Sequence, residues 1–183
     1  SLIAHEYFHL WNVKRIRPIA LGPFDYDNEN YTNMLWVSEG FTSFYQDYIL
    51  LRAGLYSEEE YLNKYTGSIS GIENQPGQRV QSVAESSWDA WIKYYRPNEN
   101  SRNSTISYYD KGGVIGSLLN LIIIGETKGK NNLDDVFRLL WNEYYKQQGR
   151  GFKDEEFQQA CEKIAGKNLD DFFKKYIFGT EQI

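Results

Sequence analysis

Cysteine occurs once in this chain of 183 residues, at Cys161, so no disulfide can form within it and the redox compartment is left open. One cysteine also excludes the four-ligand, cysteine-rich sets of structural zinc modules. Cys161 shares an apolar helix face with Phe157, Ala160 and Ile164, which predicts a buried, unreactive thiol. Long apolar runs are missing too. The longest, residues 114–124, is broken by Gly116, Ser117 and Asn120 and is too short to cross a bilayer. Basic residues number 20 against 25 acids, for a formal net charge of −5, and they form no run or stripe. That argues against nucleic acid as a partner. No signal peptide is visible, and Ser1 stands four residues before the first histidine. The chain therefore reads as a piece of a longer protein, long enough for one domain with a sizeable core. Its 16% aromatic content predicts a core and cleft rich in rings.

Histidine is nearly absent: there are two, and both lie in one string, His5-Glu6-Tyr7-Phe8-His9. On a helix, positions i and i+4 share a face, so the two imidazoles can close on one metal ion from the same side. Glu6 sits where it reaches a water at the metal rather than the metal itself. The pattern predicts a zinc peptidase. Taken alone it competes with chance occurrence, since histidines facing a core are common, and a third ligand decides between the two. A catalytic zinc keeps three protein ligands, and two histidines with one glutamate form such a set. Glu39 is the candidate. It lies early in a helix predicted over residues 34–53, with Gly54 as its C-cap, and it is flanked by Trp36, Val37 and Phe41. A carboxylate in that company is costly to bury without a compensating cation.

Several strings resemble a known family. Trp36-Val37-Ser38-Glu39-Gly40-Phe41-Thr42 resembles the glutamate-ligand helix of the gluzincin metallopeptidases. His5 through Pro18, Leu21 through Tyr26, Gln81 through Ser87 and Ser107 through Gly113 are similar to the glycyl aminopeptidase family of PDZ-bearing zinc peptidases. The resemblance implies a mainly α, thermolysin-like gluzincin catalytic subdomain over residues 1–183, with one Zn²⁺ held by His5, His9 and Glu39. It further implies an aminopeptidase acting on peptide substrates, with glycine favoured at the N-terminus. In the string Tyr109-Asp110-Lys111-Gly112, it gives Tyr109 the role of oxyanion donor, with Tyr108 as the weaker choice. An amino-terminal β domain, a strand glutamate that recognises the substrate amine and a PDZ segment are expected outside this chain. Glu6 is then the general base. Ser43 and Asp47, one and two turns after Glu39, are candidates to orient a ligand imidazole. The 30 positions from His9 to Glu39 exceed the spacing of better-known gluzincins. Pro18, Gly22, Pro23 and several Asp and Asn residues predict an irregular connection there. Arg15 and Arg17 read as structural ion-pair partners.

The remainder reads as helical. Ser57 and Glu60 form a capping box opening a helix over residues 58–65. Residues 67–81, rich in Gly, Ser and Asn, read as a surface excursion, and 86–95 as a short helix. Residues 96–104 read as loop, and 114–124 as a buried helix beginning near Lys111. The i, i+3, i+4 recurrence of Leu133, Val136, Phe137, Leu140, Trp141 and Tyr144 predicts an amphipathic helix started by Asn132. Two more are expected, capped by Asp154 and Asn168. Two rival functions stand beside the peptidase: a non-catalytic scaffold stapled by zinc, and a helical interaction module. Retention of Glu6 beside a three-ligand set disfavours the first.

Overall fold

The structure, a computed structural model, describes residues 1–183 and is helical, with two isolated β-bridges and no strand. Nine α-helices follow in order: α1 Leu2–Phe8, α2 Phe41–Arg52, α3 Glu58–Glu73, α4 Val83–Trp88, α5 Ser101–Ser104, α6 Tyr108–Glu126, α7 Leu133–Leu140, α8 Asp154–Ala165 and α9 Asp170–Tyr176. Helix α2 is entered through a π-wound turn, Trp36–Gly40, and α7 runs on into a second, Trp141–Gln147. No helix is long and apolar enough to cross a membrane.

Helix α6 is the central element, packed against the first π-turn, α2, α3, α4 and α8. Glycine permits this approach. A Cβ on Gly40 would lie 2.5 Å from the Gly112 Cα, and one on Gly112 would lie 2.5 Å from the Trp36 carbonyl oxygen. The two backbones therefore touch with no side chain between them. Around that contact the rings interlock. Trp36 meets Phe41, Phe157 and Phe173 edge to face at 5.5, 5.6 and 6.2 Å, geometries that aromatic quadrupoles favour. The ring-rich core expected from composition is present, and Cys161 lies fully buried within it, its thiol pushed up by burial.

Capping is as read at several ends. Ser57 and Glu60 form a reciprocal capping box, Asn132 caps α7 with Asp135, and Gly54 follows α2 with a positive φ of 69°. Elsewhere the structure corrects the sequence reading. Helix α3 does not stop at Tyr65 but continues to Glu73, through Gly67 and Gly71. Its inner face, Tyr65, Ile69 and Ile72, packs with Ile106 and Val114, while both glycines face open space, so burial outweighs their poor propensity. Helix α4 begins at Val83, capped by Ser82 with Glu85, and ends at Trp88 rather than Tyr95. One helical turn, α5, interrupts the expected loop. Helix α6 starts at Tyr108, capped by Ser107. Asp154 is the first residue of α8, not its cap, and α9 runs only from Asp170 to Tyr176.

Arg15 and Arg17 form no ion pairs. Their guanidinium groups donate to the carbonyls of Leu10 and Lys14, and Arg17 also lies over Phe24 at 5.2 Å. Asp25 is spent within its own loop, accepting from Asp27 N–H and the Asn28 amide.

Candidate active site

His5, His9 and Glu39 come together from two elements. Helix α1 carries both histidines, and the π-wound turn carries Glu39. One extra residue in a helical turn re-aims the side chains that follow it, and such turns are frequent at functional sites. Glu39 thereby faces α1, with its Oε2 lying 3.2 Å from His5 Nε2 and 3.3 Å from His9 Nε2. One ligand atom from each residue falls within a 4.8 Å group.

Those distances test the fit to a metal. Two ligand atoms bound tetrahedrally to zinc at about 2.0–2.1 Å are about 3.3 Å apart. A charge-assisted hydrogen bond is shorter, about 2.7–2.9 Å. The two separations from Glu39 match the edge of a coordination tetrahedron, the three ligand atoms lie within 4.8 Å of one another, and two imidazoles with one carboxylate suit zinc. Burial opposes the charged form of both His9 and Glu39. Their mutual hydrogen bond and attraction outweigh it, raising the His9 pKa and lowering that of Glu39.

Each imidazole is held from behind. His9 Nδ1 donates to the Asn12 carbonyl at 2.7 Å, and His5 Nδ1 donates to Gln46 Oε1 at 3.0 Å. Both bonds leave Nε2 turned toward Glu39. Neither Ser43 nor Asp47 takes this role. Ser43 only lines the cleft, and Asp47 turns toward α3, where Lys64 Nζ lies 3.7 Å away. Helical geometry gives the reason. Gln46 follows Glu39 by seven residues, within about 20° of two full turns, whereas Asp47 is about 80° off. That angular count was the available signal for Gln46. Nothing in the sequence pointed to Asn12, which is fully buried and whose amide donates to the Val37 and Ser38 carbonyls and to Thr42 Oγ1.

Glu6 and Tyr109 line the same cleft, a space of about 520 Å³. The Tyr109 ring stacks on His5 with centroids 6.3 Å apart. Burial, hydrogen bonding with Tyr95 and the nearby Glu39 charge all raise its pKa, so its hydroxyl stays protonated and able to donate. Tyr108, by contrast, is buried in the core and its hydroxyl meets that of Tyr95 at 3.1 Å.

A model of the M61 glycyl aminopeptidase family matches residues 1–115. The chain belongs to that family. Among solved structures, it is similar to a crystal structure of an aminopeptidase N family protein from Idiomarina loihiensis, at 37% identity and a TM-score of 0.93. That likeness covers all of this chain and 31% of the other, so the chain spans about a third of its relative's length. No curated protein matches the chain. The M61 match takes in α1, Glu39 and Tyr109 together, and the helical architecture is that of the corresponding part of the Idiomarina protein.

Proposed function

We propose that the chain is the catalytic part of a zinc peptidase that releases N-terminal residues, glycine among them, from peptides. One observation carries the reading. Glu39 lies at a tetrahedral-edge distance from both His5 and His9, with Glu6 and Tyr109 in the same cleft. His5, His9 and Glu39 would hold one zinc ion per chain. When bound, the ion supplies Lewis acidity, polarising a carbonyl and lowering the pKa of a water toward neutrality.

The chain's own groups do the rest. Glu6 takes a proton from the attacking water and returns it to the leaving amine. Tyr109 donates a hydrogen bond to the negative charge that develops on the scissile carbonyl oxygen. Gln46 and the Asn12 carbonyl keep both imidazoles in the tautomer that presents Nε2. Membership of the M61 family supports peptides as substrates, the aminopeptidase direction and the glycine preference.

The test compares zinc content and peptide hydrolysis in the wild type, Glu6→Gln and Glu39→Ala. The expected pattern is about one zinc per chain in the first two and little in the third, with hydrolysis only in the wild type. Hydrolysis that survives Glu6→Gln would refute the mechanism. Zinc without hydrolysis in the wild type would favour the zinc-stapled scaffold.

A further inference from the structure

A second cavity, of about 130 Å³, adjoins the cleft, and Ser43, Gln46 and Tyr109 line both spaces. Its walls combine rings and charge. Tyr61 and Tyr65 stack with centroids 6.5 Å apart and 3° from parallel, and the carboxylates of Asp47 and Asp110 also line it. Lys64 is the one basic residue in the lining, so the cavity carries an excess negative charge. Its ammonium is 3.7 Å from Asp47 Oδ1, too far for a hydrogen bond, and that oxygen has no other partner. Lys64 is also half in solvent, with its ammonium over the Tyr56 ring at 5.4 Å.

We propose that this cavity is a substrate subsite for a basic side chain, that of a lysine or arginine on the leaving-group side of the scissile bond, the side not taken by the released glycine. The proposal rests on the peptidase reading above. Size fits the assignment: a cavity of about 150 Å³ is enough for a benzene ring, so this one admits a single extended side chain. Chemistry selects the charge. Aromatic faces together with carboxylates attract a desolvated cation. An apolar side chain seated there would instead leave Asp47 Oδ1 without a hydrogen bond, its Oδ2 being held by the Gln46 amide at 3.4 Å. The shared wall of Ser43, Gln46 and Tyr109 places the bound side chain directly beside the reacting groups.

The test titrates n-butylammonium, a mimic of the lysine side chain, and its neutral counterpart n-butanol into the full chain. The tyrosine ring resonances are followed by NMR. Saturable shifts at Tyr61 and Tyr65 are expected with butylammonium, and binding of butanol at least about fivefold weaker. The preference should vanish in Asp47→Asn/Asp110→Asn and grow in Lys64→Ala, where the internal competitor is gone. Equal binding of the two probes, or a preference that survives the double Asn variant, overturns the proposal. The readout needs neither metal nor hydrolysis. A chain that cleaves peptides without this preference loses the subsite and keeps the peptidase reading. Selective binding in a chain that cleaves nothing keeps the cation site and removes the peptidase.

Discussion

Asn12 donates its side-chain amide to the Val37 carbonyl at 2.9 Å, while its own carbonyl accepts from His9 at 2.7 Å. One buried residue thus ties the turn after α1 to the π-wound turn that presents Glu39. Asn12→Asp should be worse than Asn12→Ala, because a carboxylate would face the Val37 and Ser38 carbonyls with no donor. A loss of about 1–3 kcal/mol is expected for Asn12→Ala, and more for Asn12→Asp, by denaturant unfolding. Zinc titration should show weakened affinity in both.

Gln46 is the partner of His5, although Ser43 and Asp47 were the residues that the sequence put forward. Gln46→Ala should weaken zinc binding about 10–100-fold. Gln46→Glu keeps an acceptor at that position and should retain much of the affinity. Competition with a chromogenic chelator measures both, and an unchanged Gln46→Ala would show that His5 needs no support.

Tyr109 and Tyr108 are neighbours in sequence with stacked rings, yet only Tyr109 lines the cleft. Tyr109→Phe should lower kcat about 10²–10³-fold with little change in KM. Tyr108→Phe should leave kcat nearly unchanged and reduce thermal stability through the lost contact with Tyr95. Steady-state kinetics on one peptide, beside a melting curve for each variant, separates the two roles.

Lys111 is fully buried on α6 and its ammonium has no hydrogen-bond partner. Burial alone lowers its pKa from the ordinary 10.5 to about 8. The unfolded chain therefore binds more protons between about pH 8 and 10.5, and stability contributed by this group rises with pH across that window. Below pH 8 both states are protonated and the burial cost stays in full. Lys111→Met should stabilise the fold at pH 7 by about 2–3 kcal/mol and flatten the rise toward pH 10.5. Unfolding curves of both proteins from pH 7 to 10.5 check the sign.

The sequence exposed what depends on neighbours along the chain. The i, i+4 histidines, the Ser57–Glu60 box and the apolar stripe from Leu133 to Tyr144 are local patterns with local causes. The strings between His5 and Gly113 also resembled the glycyl aminopeptidase family, and the match of the M61 glycyl aminopeptidase model bore that out. What misled was composition weighed without packing. Gly67 and Gly71 argued for an excursion, but α3 buries its other face against α6 and stays helical through Glu73.

By itself the sequence determined a helical fold and the residue types for a two-histidine, one-glutamate site. Tertiary structure alone decided the rest. Gly40 meeting Gly112 sets α6 against the Glu39 turn and so brings Tyr109 to the cleft. Asn12 and Gln46, separated by 34 positions along the chain, fix the two imidazoles. Partners so distant in sequence are joined only when burial brings their elements together, and no periodicity records which side chain will arrive.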